Sequence, residues 1–194
     1  MIFSDVFVIA SGFRENEGHE NGQYNNWLTL RELANRSRFV HPPIRWNQSG
    51  KDMACFIDRV TDRGGKINVV AYSWGAGVFF VEFVKHLKKL GRTIDHAVLI
   101  DPVYRSRIMP KWLPFNPTSM TRLGKIDCHK NVRKISLFRQ DQDRPSGREV
   151  KNLGYGKIVT DRKLDYGHSY MDDAREVQEE LKRTFMTTTV EVQS

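Results

Sequence analysis

The stretch INVVAYSWGAGVFFVEFV, residues 67–84, contains two apolar runs separated by one serine and several small residues. The first run ends at Tyr72, is rich in β-branched residues and is typical of a buried strand. The second run starts near Ala76, has apolar residues at helical spacing, and is followed by a stop at Gly91. The pattern predicts a strand, a sharp turn and a helix, with Ser73 in the turn.

The same alternation of strand and helix patterns continues on both sides of this stretch. Strands that alternate with helices form a parallel sheet with helices on both faces. The sequence therefore predicts an α/β fold, a three-layer sandwich whose mostly parallel sheet has about six strands. Strands are predicted over residues 6–10, 39–41, 67–72, 97–101, 135–139 and 157–160, and helices over 24–36, 51–63, 76–90 and 170–185.

Capping and helix-stopping residues mark the ends of several predicted elements. Ser49 is a candidate N-cap of the second helix, and Gly64 and Gly65 are expected to end that helix. Ser169 is a candidate N-cap of the last helix. Beyond it, TTTVEVQS at residues 187–194 is expected to form an edge strand or a loose, frayed tail.

Length and composition indicate a single globular domain over residues 1–194. A chain of this length can bury a sizeable core, and 39% hydrophobic with 28% charged residues is typical of soluble proteins. No apolar run reaches the about 18 to 20 residues of a membrane span. The N-terminal MIFSDVFVIASGF lacks the basic start of a signal peptide, so a cytoplasmic location is expected.

No metal or cofactor is predicted. Cys55 and Cys128 have neither the spacing of metal ligands nor the number needed for a disulfide framework. The stretch SGKD at 49–52 is preceded by Arg45 where a P-loop has glycine, and Asp52 replaces its Ser or Thr. A nucleotide phosphate site of that type is therefore not expected.

The basic character of the chain has two interpretations. There are 31 Lys and Arg residues against 23 Asp and Glu, a net charge of +8. A solvated face is favoured because no nucleic-acid motif accompanies the charge, so no specific nucleic-acid partner is expected. The alternative is attraction to an anionic partner or surface. The clustered residues are Lys85, Lys88, Lys89 and Arg92, then Arg105, Arg107 and Lys111, then Lys130, Arg133 and Lys134.

Ser73 is the candidate nucleophile. With Ala71 two residues before it and Gly75 two after, it matches the nucleophile-elbow pattern G-x-S-x-G with alanine in the first place. Small neighbours suit a sharp turn in which strand and helix backbones approach closely. The free N–H groups of the helix start point to the same spot, so the Trp74 N–H is a candidate oxyanion donor. The alternative is a structural turn in which Ser73 caps the helix.

The base and the acid are sought after the serine, in the chain order serine, acid, histidine. His168 follows the last predicted strand and precedes the last helix, so it is the candidate base. Asp101 and Asp143 each follow a strand between the serine and the histidine, and they are equal candidates for the acid. Asp141 is a third candidate.

The loop after the first strand, VIASGF at residues 8–13, is expected to supply the second oxyanion donor. Gly12 allows the backbone to turn toward the crevice beyond the strand ends, and the N–H of Phe13 is the candidate donor. The crevice of an open parallel sheet lies at the point where the winding direction reverses.

Taken together, VIASGF, AYSWGAG at 71–77 and GHS at 167–169 resemble the α/β-hydrolase superfamily over most of the chain. Ser11 and Ala71 depart from the usual histidine and glycine of its motifs. The resemblance implies the strand order 2-1-3-4-5-6 and an open site without a lid. VLIDPVY at 98–104 resembles lipases in which the aspartate is the triad acid, whereas cutinase-like members carry the acid one strand later, which favours Asp143.

The resemblance further implies a serine hydrolase that cleaves a carboxylic ester or thioester through a Ser-His-Asp triad and an acyl-enzyme intermediate. The substrate is then a small-molecule or lipid ester. The alternative is a non-catalytic module that keeps the fold and binds an anionic partner through its basic surface, because function belongs to sites rather than to folds.

Overall fold

A computed structural model describes residues 2–13, 22–105, 124–152, 154 and 156–190 of the chain. Within these ranges the chain forms eight strands and four α-helices, which alternate as far as Ile100; in the described residues beyond it, four strands precede the last helix. The strands are β1 (Phe3–Ala10), β2 (Arg38–Val40), β3 (Thr61–Tyr72), β4 (Ile94–Ile100), β5 (Ile126–Cys128), β6 (Val132–Arg139), β7 (Val150–Asn152) and β8 (Lys157–Lys163). The helices are α1 (Gly22–Glu32), α2 (Gly50–Val60), α3 (Phe80–Lys89) and α4 (Arg175–Val190).

Six of the strands form one sheet in the order β2-β1-β3-β4-β6-β8. Every pairing between these neighbours is parallel. Counted along the chain, the order is 2-1-3-4-5-6, as expected, and the winding direction reverses between β1 and β3. The sheet therefore places the loops after β1 and β3 side by side at the point where ligands bind in open α/β sheets.

Two apolar clusters cover the two faces of this sheet. One joins α2 and α3 to the sheet through residues such as Ile57, Phe80 and Phe83. The other joins α1 and α4 through Leu30 and Val177, among others. The predicted three-layer α/β sandwich is thereby confirmed, and the central strands are apolar on both faces because both faces are covered.

The predicted end of the second helix was wrong. Helix α2 ends at Val60, where Thr61 follows as its C-cap and its hydroxyl donates to the Ile57 carbonyl at 2.6 Å. The chain then enters β3 directly, so Gly64 and Gly65 lie inside a strand rather than at a helix end. Pairing of this strand start with β1 outweighs the local tendency of two glycines to stop a helix.

The predicted start of the last helix was also wrong. His168–Tyr170 form one 3-10 turn, and the α-helix begins only at Arg175. Ser169 lies inside the 3-10 turn and does not cap α4. At the other end the helix continues to Val190, so the expected edge strand is wrong over 187–190, while 191–194 lie outside the described residues.

Short strands β5 and β7, absent from the sequence-based prediction, form a separate two-stranded parallel sheet. Each has only three residues, too few for an alternating pattern; β2 is equally short, but its prediction rests on the prolines that directly follow residues 39–41. None of the helices in the described part of the chain combines the length and apolar character of a membrane span.

Candidate active site

The turn after β3 holds Ser73 in a conformation that is unusual for a residue with a side chain. Its φ is +53°, in the left-handed region. Its N–H donates to the Ile100 carbonyl at 3.0 Å, and its carbonyl accepts from the N–H groups of Gly77 and Val103, both at 3.0 Å. Because β4 binds the Ser73 N–H and the π-helical turn Gly75–Phe79, which leads into α3, binds its carbonyl, the direction of the Ser73 side chain is fixed.

Small residues around Ser73 provide clearance, as the pattern predicts. A Cβ added at Gly75 would lie 2.6 Å from the Ala10 carbonyl oxygen, and one added at Gly12 would lie 2.9 Å from the Ser73 Cβ. Both distances are shorter than side chains tolerate. The loops after β1 and β3 therefore touch at the point where the chemistry is predicted.

Ser73 and His168 are brought together by the fold, 95 positions apart in the chain. The Ser73 Oγ lies 2.9 Å from His168 Nε2, and His168 Nδ1 lies 2.5 Å from Asp101 Oδ2. An ionised carboxylate can only accept, so His168 Nδ1 carries the proton. The Nε2 lone pair of the neutral ring then accepts the Ser73 hydroxyl proton, the direction that a general base requires.

The three candidate acids have different surroundings, and Asp101 alone among them contacts the imidazole ring. Asp143 Oδ1 instead accepts from the backbone N–H of His168 at 2.8 Å. Asp141 pairs with Lys163 at 2.8 Å on the surface. Asp101 is fully buried and has a φ of +39°, so its backbone, like that of Ser73, is in the left-handed region.

Gln140 links Asp101 to Asp143. It was not predicted from the sequence. Its backbone N–H donates to Asp101 Oδ1 at 3.1 Å, and its side-chain Nε2 donates to Asp101 Oδ2 at 3.0 Å. Its side-chain oxygen accepts from the Asp143 N–H at 3.0 Å. One buried side chain thus orients the acid and fixes the loop that contacts His168. Its position directly after β6 was the available signal, but a glutamine there carries no motif.

Tyr72, the last residue of β3, contacts both the backbone and the ring of His168. Its hydroxyl donates to the His168 carbonyl at 2.6 Å, and the two rings stack with centroids 5.1 Å apart. His168 therefore has its backbone held by Tyr72 and Asp143 and its ring held by Asp101. Because the ring is restrained in this way, little further conformational entropy is lost when it aligns with Ser73.

Phe13 and Trp74, the predicted oxyanion residues, lie next to each other. Their ring centroids are 4.5 Å apart, and both rings pack against Trp46. The Arg105 guanidinium lies 4.9 Å from the Trp74 ring centroid, and burial lowers its pKa from the ordinary value. This aromatic cluster supports the two loops whose N–H groups are the candidate donors.

The basic clusters seen in the sequence are not all surface features. Arg92 is buried, donates to the Asp62 carbonyl at 2.7 Å and lies 3.6 Å from Asp58. Arg105 is buried as well. Arg107 and Lys111 lie outside the described residues. At least two of the clustered cations thus have internal contacts that explain their presence without an external partner.

Within the described ranges, no group of three or more His, Cys, Asp or Glu side chains is arranged to hold a metal ion. Burial raises the pKa of Cys128 to about 12, so this thiol remains protonated.

No protein-family model matches the chain, and no curated protein matches it in sequence. The chemistry of the site therefore has to be judged from its own geometry.

Proposed function

We propose that this protein is a serine hydrolase of the α/β-hydrolase type, which cleaves a carboxylic ester or thioester. The observation that carries the proposal is the continuous hydrogen-bonded path from Ser73 Oγ through both ring nitrogens of His168 to Asp101. Serine needs such a base to be nucleophilic at neutral pH.

In the acylation step, Ser73 Oγ attacks the substrate carbonyl carbon while its proton moves to His168 Nε2. The imidazolium that forms is stabilised by Asp101, which keeps its negative charge. Collapse of the tetrahedral intermediate breaks the bond to the leaving group, and His168 returns the proton to the leaving oxygen or sulfur. A water molecule, deprotonated by His168, then attacks the acyl-enzyme; the bond between the acyl carbon and Ser73 Oγ breaks, His168 returns the proton to Ser73 Oγ, and the acid is released.

The developing oxyanion is assigned to the backbone N–H groups of Phe13 and Trp74. The contact between Gly12 and Ser73 supports this assignment, because it places the loop after β1 beside the nucleophile. Donors fixed by a packed aromatic cluster need little reorganisation as the charge develops, and this is the usual source of oxyanion stabilisation.

Two left-handed backbone positions support a functional interpretation of the site over a purely structural turn. Ser73 and Asp101 are the two non-glycine residues with positive φ in the described part of the chain. Such conformations cost on the order of 1–3 kcal/mol each and concentrate at functional sites. Both occur in residues of the proposed triad, directly after the neighbouring strands β3 and β4.

The proposal is tested by turnover of short p-nitrophenyl esters with wild type and the Ser73→Ala variant. We expect the variant to lose at least about 10⁴-fold in kcat at an unchanged thermal midpoint. Ser4→Ala, at the end of β1 that is far from Ser73, is the matched control and should keep full turnover. Equal turnover in wild type and Ser73→Ala would overturn the proposal.

A further inference from the structure

A cavity of about 370 Å³ lies beside the ends of β6 and β8, at the same edge of the sheet as Ser73. Arg139 and Lys163, the last residues of those strands, form one wall, and the segment 146–149 before β7 forms another. The volume is in the range of small-molecule sites. The proposed hydrolase chemistry does not use this cavity.

Positive charge dominates the lining of the cavity. It contains four cationic side chains and two carboxylates, Asp141 and Glu149. Arg148 is 4% exposed, so its charge is largely removed from water, and charges interact more strongly in such surroundings than in water. The cations are Lys125, Arg139, Arg148 and Lys163.

The lysines in this lining are already paired, but with exposed partners. Lys125 lies 2.6 Å from Glu149, and Lys163 lies 2.8 Å from Asp141, with all four side chains about half exposed or more. Exposed ion pairs of this kind contribute little stability. Both lysines can therefore exchange a carboxylate for a ligand oxygen at small cost.

Arg139 is the best-placed arginine for contact with a ligand that enters from solvent. Its Nε and one terminal nitrogen both contact the same oxygen of Asp161, at 3.2 and 2.7 Å. Asp161 is not part of the cavity lining. The planar guanidinium retains further N–H donors, and guanidinium groups bind phosphate oxygens in pairs.

The cavity is separated from the triad by a thin wall. Gln140 lines the cavity and donates to both oxygens of Asp101. Gly147 lines it too, and a Cβ added there would lie 2.1 Å from Asp101 Oδ1. A ligand in the cavity is therefore separated from the proposed catalytic acid by residues that contact this carboxylate directly.

We propose that this cavity binds a phosphate-bearing small molecule, with Arg139 and Arg148 contacting phosphate oxygens and Lys125 and Lys163 closing over them. The phosphate belongs either to one end of the substrate or to a separate ligand. Binding itself does not depend on the hydrolase proposal, and it is measured without turnover.

The first experiment measures binding of inorganic pyrophosphate by calorimetry at constant ionic strength, with wild type and Arg139→Met. We expect a single site with a dissociation constant below about 1 mM, weakened about tenfold or more in the variant. Arg133→Met, at the other end of β6, removes the same charge from an exposed side chain and is the matched control. Lys163→Met removes an exposed cation of the cavity lining and should also weaken pyrophosphate binding.

Two results would overturn the proposal. One is absence of pyrophosphate binding to a folded wild type. The other is equal weakening by Arg139→Met and Arg133→Met, which would mean that only the overall charge attracts the anion. The Ser73→Ala variant should bind pyrophosphate like wild type, so failure of the hydrolase proposal leaves this result unaffected.

The second experiment distinguishes the two sources of phosphate. It compares turnover of an acyl thioester of coenzyme A with the same acyl group on N-acetylcysteamine, which lacks the phosphates. If the phosphate is part of the substrate, Arg139→Met should lower kcat/KM for the coenzyme A thioester by about tenfold and leave the short thioester unchanged. If it belongs to a separate ligand, the ratio of the two rates stays constant while Arg139→Met still weakens pyrophosphate binding.

Discussion

Two groups of serine, histidine and carboxylate side chains lie on the same sheet. The first is the proposed triad of Ser73, His168 and Asp101 at the carboxyl ends of the strands. The second, here called the buried polar cluster, consists of Ser136, His96 and Glu180 between β4, β6 and α4. The serine-to-Nε2 distances are almost the same, 2.9 Å in the triad and 2.8 Å in the buried polar cluster.

The hydrogen bond between the serine hydroxyl and the histidine Nε2 has opposite donors in the two groups. In the triad the carboxylate contacts Nδ1, so Nε2 accepts from the serine. In the buried polar cluster Glu180 accepts from the Ser136 hydroxyl, and Nδ1 of His96 contacts the Thr184 hydroxyl at 3.3 Å. Ser136 therefore accepts from His96 Nε2–H. That imidazole offers Ser136 no lone pair and cannot serve as its base.

The two serines also differ in burial and in backbone conformation. Ser136 is fully buried in the middle of β6, whereas Ser73 follows the end of β3 in a left-handed turn. Burial lowers the pKa of His96 to about 4, which keeps this ring neutral and structural. Residue types alone do not define a catalytic group: in the proposed function, the position after a strand end and the placement of the acid distinguish Ser73 from Ser136.

The largest effect in this comparison is expected from the two carboxylates. Asp101→Asn should lower kcat for p-nitrophenyl esters by about 10³- to 10⁴-fold, because the amide no longer holds His168 in the required tautomer. Glu180→Gln, in the buried polar cluster, should leave kcat within about threefold of wild type while lowering the thermal midpoint. Steady-state kinetics and melting curves measure both. A similar loss of kcat in the two variants would remove the distinction between the clusters.

The next effect concerns stability and pH. His96 is neutral in the folded state down to about pH 4, while in the unfolded chain it titrates near its ordinary pKa of 6.5. Protons then bind the unfolded state preferentially between these values, so stability is present at neutral pH and is lost as pH falls. For this one group the loss is about 2 kcal/mol at pH 5.

Urea unfolding of wild type and His96→Gln between pH 4 and 8 measures that loss. The variant should be less stable at neutral pH but should show a shallower decline toward pH 4. His41, whose pKa burial also lowers, contributes to the decline in both proteins, so the difference between them isolates His96. Parallel curves for the two proteins would contradict the assignment.

The smallest effect is expected at Asp143. Asp143→Asn should lower kcat by about tenfold or less, since it weakens one charge-assisted hydrogen bond to the His168 backbone. Asp141→Asn, in the same loop but paired with a surface lysine, is the control and should have no effect. If Asp143→Asn were as damaging as Asp101→Asn, the assignment of Asp101 as the one triad acid would be contradicted.

The class of fold and the positions of Ser73 and His168 could be predicted from sequence because local patterns define them. Ser73 lies between an apolar strand and an apolar helix, and His168 follows the last strand. The choice between Asp101 and Asp143 could not be predicted. It depends on how the loop after β6 folds over Gln140, which is a tertiary contact without a sequence pattern.

The errors at element ends have the same origin. Gly64 and Gly65 suggested a helix stop, but β3 runs through them and pairs with β1 on either side, at Thr61 and Lys66. The buried polar cluster also escaped prediction, because Ser136 and His96 meet Glu180 only when α4 packs on the sheet. Local propensity is a weak guide where long-range packing determines the conformation.

The central claim is that Ser73, and not another serine, is an activated nucleophile. The most direct measurement is labelling of the folded protein with a fluorophosphonate probe, followed by peptide mapping of the modified residue. We predict one label per chain, on Ser73, with the same rate in Ser136→Ala and none in Ser73→Ala. Absence of labelling in a folded wild type, or a label that persists in Ser73→Ala, would contradict the account.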